Sequence, residues 1–252
     1  MMKKLLTATA LVTGLAAVMA TPLAAFEMNG MSDAERDAFR AEVRAYLLDN
    51  PEVLMEAIGV LEERQAAEAA AGDEELLATN AEAIFNDGYS WVGGNPEGDI
   101  TIVEFLDYRC GYCKKAHPEV TELLASDGNI RYIVKELPIL GEQSVLAARF
   151  AIAVLAVEGD EAYDEIHNDL MTFRGEFTEA ALSALSEAKG YDTPGVFAAM
   201  NSPETKQVID ENRALAQRMN INGTPSFVFE SQMVRGYVPL DGMMGIVAEV
   251  RG

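Results

Sequence analysis

The chain of 252 residues carries 41 acidic side chains against 19 lysines and arginines, a formal charge of −22. Its 49% hydrophobic content suffices for a buried core and excludes a disordered acidic polypeptide, and so few cations exclude a basic face for nucleic acid. Two cysteines and two histidines exclude a multi-disulfide scaffold and any Cys/His zinc framework beyond one site, so the cysteines act with each other or not at all.

The first segment reads as an address. Lys3 and Lys4 precede an uncharged apolar run from Leu5 to about Ala20, and small residues follow at Ala20, Ala24 and Ala25. This is the layout of a secretory signal peptide, residues 1–25 with cleavage after Ala25. A membrane anchor needs about 20 strongly apolar residues, whereas this run is rich in Ala and Thr and broken by Gly14 and Pro22. The mature chain is expected to be soluble in an exported, disulfide-permissive compartment.

Residues 26–88 read as a helical arm. Ser32 and Glu35 form a capping box, and Asn50-Pro51 suggests a second start with Asn as cap and Pro at the first helical position. Leu54, Ile58, Leu61 and Gln65 follow at coiled-coil spacing. The Ala-rich, charged stretch after them has little to bury, so the arm either docks on its own domain or pairs with copies of itself through residues 32–65.

Residues 89–252 read as one α/β domain. Strands are expected at Tyr89–Val92, Ile100–Tyr108, Ile130–Leu137, Ser226–Phe229 and Val234–Val238, with a turn at Gly93-Gly94-Asn95-Pro96. A helix from Cys110 to about Ser126 bends near Pro118, a helical insertion fills about 141–220, and a last helix starts near Asp241.

The chemistry lies where strand turns into helix, at Cys110-Gly111-Tyr112-Cys113. Two intervening residues let one helical turn bring the sulfurs within reach of a reversible disulfide. Cys110 at the helix start has its thiolate favoured by unpaired N–H groups and the macrodipole, which makes it the attacker and Cys113 the resolver. A structural disulfide closing so small a loop would stabilise little. Arg109, Lys114 and Lys115 crowd the motif and either depress the thiol pKa or face solvent. His117 extends the pattern to Cys-x2-Cys-x3-His. Zinc lacks a fourth ligand there, His167 being remote in sequence; Cu(I) on two thiolates stays open. Glu104 shares its strand face with Ile102 and Leu106, so parity buries it.

The strand IVEFLDYRCGYC, the downstream Asn222-Gly223-Thr224-Pro225-Ser226-Phe227 and the intervening helical block resemble the thioredoxin fold of the exported thiol–disulfide oxidoreductases, the DsbA/DsbC class. The resemblance covers about residues 89–252 and implies an α/β thioredoxin fold with a large helical insertion, preceded here by the arm. It places Cys110 and Cys113 as the dithiol and Thr224-Pro225 as the cis-proline dipeptide beside it. Glu104 falls at the buried acid that passes protons to the resolving cysteine. Gly-Tyr between the cysteines and Thr before proline match the DsbC-type isomerases, where oxidases carry Pro-His and Val. The whole chain is most similar to the ScsC-type proteins, DsbA-like domains with an oligomerising arm and a link to copper tolerance. The resemblance thus implies a periplasmic homo-oligomer without a cofactor. It would isomerise or reduce misoxidised secreted proteins and be recharged by a membrane thiol reductase. The alternatives are a dithiol oxidase recharged by a membrane oxidant, and a copper-handling protein binding Cu(I) at its CxxC.

Overall fold

The computed structural model describes residues 30–252; the expected signal peptide at 1–25 lies outside them. The chain divides into two compact units, one ending at Leu61 and the other running from Glu62 to Gly252.

In the first unit, α1 (Asp33–Asp49) opens on the expected capping box: the Ser32 side chain accepts from the Glu35 N–H while the Glu35 carboxylate accepts from the Ser32 N–H at 2.8 Å. Asn50 serves the other end. Its side-chain amide donates to the Tyr46 carbonyl at 2.8 Å, closing α1, and α2 (Glu52–Phe85) begins one residue after Pro51. No residue of α1 is buried, and Phe39, Val43, Leu54, Ile58 and Leu61 are exposed.

The second unit is built on a five-stranded sheet of order β1-β3-β2-β4-β5, with β1 (Val92–Gly94), β2 (Ile100–Leu106), β3 (Ile130–Glu136), β4 (Ser226–Phe229) and β5 (Gln232–Arg235). β2 and β3 are parallel, and the other neighbours are antiparallel. The crossover between the parallel pair is α3 (Gly111–Asp127), whose first turn carries the cysteine motif and which runs on through Pro118. Between β3 and β4 stand α4 (Glu142–Glu158), α5 (Asp160–Thr172), α6 (Glu179–Lys189), α7 (Thr193–Met200) and α8 (Pro203–Arg218); α9 (Leu240–Arg251) closes the chain.

The central strands are buried on both faces, as crossover-covered strands are. Ile102 and Leu106 belong to one core with Ala116, Val120 and Leu123 of α3, Phe150 of α4 and Met243 of α9. Val103 and Phe105 belong to the opposite core with Leu77 and Ile84 of α2 and Leu215 of α8. Two strand expectations shift. Tyr89–Val92 is not a strand; pairing begins at Val92 and includes Gly93 and Gly94, which the sequence places in a turn, because β3 offers Ile133, Tyr132 and Arg131 as partners. Gly93 fits under the Trp91 ring, where a Cβ would come within 2.0 Å. The last strand is Gln232–Arg235 rather than Val234–Val238, since the hairpin turns tightly at Glu230, φ 50°.

Candidate active site

Cys110 is the N-cap of α3, with extended backbone and no side-chain cap. Its amide donates to the Asp107 carbonyl at 2.9 Å and its carbonyl accepts from the Lys114 N–H at 3.0 Å, so the sulfur stands over the open amides of the first turn. Asp107 fixes the approach. One of its carboxylate oxygens accepts from the Arg109 N–H at 2.8 Å, the other from the amides of Ile139 and Leu140 at 2.9 and 3.0 Å. Cys113, one turn on, is fully buried, whereas Tyr112 between the thiols is 62% exposed. Both cysteines are free thiols in this structure.

The Thr224–Pro225 peptide bond is cis, and it brings Thr224 to the dithiol: the Cys110 thiol donates to the Thr224 carbonyl at 3.1 Å. The Pro225 carbonyl accepts from the Gly236 N–H at 2.9 Å, tying this loop to the segment that carries Tyr237. Tyr237 stacks obliquely on Tyr112, ring centroids 6.2 Å apart.

Hydrogen bonding, first from the Cys113 thiol, then from the Thr224 side chain and the amides of Cys113 and Tyr112, pulls the Cys110 pKa down to about 5 against the opposing effect of burial. The neighbouring cations are engaged elsewhere. Lys114 donates to the Phe173 carbonyl at 2.6 Å, and Lys115 lies 4.0 Å over the Tyr237 ring. Burial, the Cys110 thiol and the charge of Glu104 push the Cys113 pKa far up.

Glu104 sits in the sheet beneath this pair, 2% exposed. Burial raises its pKa to about 7, offset in part by a hydrogen bond from the Tyr132 hydroxyl; its other oxygen, Oε1, has no partner. The structure therefore brings Cys110, Cys113, Thr224, Pro225 and Glu104 to one place. A second buried acid escapes the sequence reading. Glu136 accepts from the hydroxyls of Tyr108 and Tyr163 at 2.8 and 2.6 Å, and burial raises its pKa to about 8. The signal was available, because Glu136 alternates with Ile130, Tyr132 and Val134 on β3 and so faces the same core. His117 is not turned to the sulfurs; its Nε2 lies 2.8 Å from Asn168 Oδ1. Among the described residues no group of three or more His, Cys, Asp or Glu side chains could hold a metal ion.

Residues 86–249 match the thioredoxin family, and residues 35–68 match the copper resistance protein ScsC N-terminal domain. A thioredoxin-like oxidoreductase from Silicibacter pomeroyi DSS-3 is 40% identical, covering 68% of this chain and 96% of that one, with a TM-score of 0.64. A linker-deletion mutant of ScsC from Proteus mirabilis is 27% identical, covering 87% and 96%, TM-score 0.64. A periplasmic thioredoxin-like protein from Salmonella enterica serovar Typhimurium is 29% identical, covering 67% and 94%, TM-score 0.59. Among curated proteins, a Na(+)/H(+) antiporter of Salinispora arenicola is 29% identical over 157 residues, 62% of this chain, and the chain spans about a quarter of that relative's length. With a family match over most of its residues and a dithiol set at a helix start against a cis-proline loop, the chain belongs to the thioredoxin family, among the ScsC-type, DsbA-like thiol–disulfide oxidoreductases.

Proposed function

We propose that the protein exchanges disulfides on exported proteins, acting as a disulfide isomerase and reductase in the periplasm. The observation that carries the exchange chemistry is the contact of the Cys110 sulfur with the Thr224 carbonyl, above a resolving thiol buried one turn away. An incoming extended peptide can donate a main-chain N–H to that carbonyl, lying along Thr224-Pro225 as an added strand with its disulfide at Cys110. The Cys110 thiolate attacks one substrate sulfur, forms a mixed disulfide and expels the other as a thiolate. A substrate thiol then displaces Cys110, which completes isomerisation. Otherwise Cys113 does so, giving up its proton to the Glu104 carboxylate as the Cys110–Cys113 bond forms and the substrate leaves reduced. A membrane thiol reductase would return the dithiol.

Two features support the isomerase reading. The first unit leaves Phe39, Val43, Leu54, Ile58 and Leu61 in solvent, an apolar set that a second copy of this chain would cover, and the match to the ScsC N-terminal domain falls on these residues. An oligomer of this kind sets several dithiols around one client. Residues 1–25 and the periplasmic relative support the compartment.

One observation favours a dithiol oxidase instead: a thiol held near pKa 5 stabilises the reduced protein and so makes the disulfide more oxidising. Copper handling finds less support, because Cu(I) at the motif asks both sulfurs to be thiolates and burial holds Cys113 as a thiol.

The test compares reactivation of scrambled ribonuclease with oxidation of reduced ribonuclease. Wild-type protein should reactivate the scrambled enzyme, and the Leu54→Glu, Ile58→Glu variant should become monomeric and lose that activity while still reducing a small disulfide. A monomeric wild-type protein that only oxidises reduced ribonuclease would establish the oxidase.

A further inference from the structure

Cys113 and Glu104 are both sealed from solvent, so a proton handed from one to the other is still inside the protein. On β2 and its neighbours the register partners of Glu104 are Val134 and Phe227, which conduct nothing. The titratable groups facing Glu104 are Cys110 and Cys113 from α3, Tyr132 and Glu136 from β3, and Tyr163 from α5. Of these only Tyr132 hydrogen-bonds the carboxylate. Tyr132 also lines a cavity of about 410 Å³, walled by Trp91, His117 and His167 and bordered by the exposed residues Thr121 and Asp164. Such a space is ample for several waters.

The hydrogen bonds around the cavity fix which histidine nitrogens are bare. Tyr108 gives its one hydroxyl proton to Glu136 at 2.8 Å and so accepts from His167 Nδ1 at 3.0 Å. That assignment protonates Nδ1 and leaves Nε2 of the neutral ring as a lone pair. No side chain or backbone group among the described residues hydrogen-bonds this Nε2, although His167 is 97% buried and lines the cavity. Asn168 donates its amide to the Asp164 carbonyl at 2.7 Å, so its oxygen accepts the Nε2–H of His117, and the His117 Nδ1 is bare in turn. Two proton acceptors thus sit on the cavity that Tyr132 borders.

We propose that this cavity is the proton exit of the dithiol, with Tyr132 the gate between Glu104 and its water and with His167 and His117 as acceptors on its wall. The inference rests on the reading of Glu104 as the base for Cys113. When Cys113 displaces Cys110 from a mixed disulfide, its S–H bond breaks toward Glu104, the new S–S bond forms, and the substrate sulfur leaves as a thiolate. The protonated carboxyl then donates to the Tyr132 oxygen while the Tyr132 hydroxyl proton passes to cavity water or an imidazole, which returns both groups to their starting forms. Running toward reduction, the same path carries the proton inward. Tyr132 is a positioning and relay residue, touching neither sulfur nor substrate.

Ellman's reagent separates the steps on the full-length reduced protein. Attack by Cys110 releases one thionitrobenzoate, and displacement by Cys113 releases the second. Tyr132→Phe should slow the second release by about ten-fold near neutral pH, a fraction of what a positioned acid–base group contributes, and leave the first unchanged. The deficit should shrink as pH rises and hydroxide replaces the relay. Because removing the Tyr132 hydroxyl also alters the acidity of Glu104, Thr121→Trp provides a second arm: it fills the cavity from its exposed border without touching that hydrogen bond, and should slow the second release alone. If Glu104→Gln slows the second release while Tyr132→Phe and Thr121→Trp do not, the exit is overturned and the base stands. If Glu104→Gln has no effect either, both assignments fall.

Discussion

The buried thiol of Cys113 stands one turn along α3 from the sulfur of Cys110, and hydrogen bonding from it is the largest single influence pulling the Cys110 pKa down. The relationship is one-sided: burial above all, and then the same contact, push Cys113 upward, so one proton is held tightly while the other is shed. The two thiols are therefore distinguished by position, a helix start against a buried turn, although their chemistry is identical, and the proposed roles of attacker and resolver follow that difference.

Replacing the donor tests this division of roles. Cys113→Ala should raise the Cys110 pKa from about 5 toward the range of an ordinary thiol, each unit corresponding to about 1.4 kcal/mol of lost thiolate stabilisation. Cys113→Ser should raise it less, because the hydroxyl still donates. Titrating the ultraviolet thiolate absorbance reads both variants. Equal titration of the alanine variant and wild type would mean that Thr224 and the helix amides set the acidity without the second thiol.

Glu136 makes the stability of the reduced protein depend on pH in a stated direction. Its folded pKa, raised from 4.5 to about 8 by burial, means that it contributes full stability below the unfolded value and loses it as pH rises through about 8. Glu104, raised to about 7, acts in the same sense. Urea unfolding of reduced protein should show stability falling between roughly pH 4.5 and pH 8, steepest in the middle of that range, where both acids hold their protons only in the folded protein. Glu136→Gln keeps an oxygen for Tyr108 and Tyr163 but cannot ionise, so it should be the more stable protein at about pH 9, by up to about 5 kcal/mol. Parallel curves for the two proteins would contradict a buried, titrating Glu136.

What the sequence makes legible is what local pattern encodes. The alternation that puts Glu104 with Ile102 and Leu106 is enough to bury it, and a Cys-x-x-Cys after a strand is enough to mark the helix start. The pairing of Val92–Gly94 is decided by the edge that β3 offers, and two glycines carry no local trace of that partner. Glu136 is passed over for a different reason: its alternation with Ile130, Tyr132 and Val134 gives its face, but the partners that satisfy it there, Tyr108 and Tyr163, come from elsewhere in the chain. The lysines beside the motif suggest a local field, yet Lys114 finds a carbonyl 59 residues away and the field at Cys110 comes from hydrogen bonds. Pattern reports which face a residue takes; only the fold reports who meets it there.

The Lys135–Asp87 ion pair, on the sheet face opposite the dithiol, ties the end of α2 to β3. The Lys135 side chain is fully buried and that of Asp87 is 7% exposed; the ammonium also donates to the Ala83 carbonyl at 2.9 Å. Asp87→Ala strands a buried cation and should destabilise the protein by about 3–5 kcal/mol. Burial already lowers the Lys135 pKa, so losing its counter-ion should lower it further, and the deficit should shrink at alkaline pH as the lysine sheds its proton. Adding Lys135→Met to Asp87→Ala replaces the stranded charge with an apolar chain of similar length and should recover part of the loss, a coupling that a double-mutant cycle by urea unfolding measures directly. Additive losses in the cycle, with no dependence on pH, would show that Asp87 stabilises the fold through its turn hydrogen bonds to Tyr89 and Ser90 and that the ion pair contributes nothing.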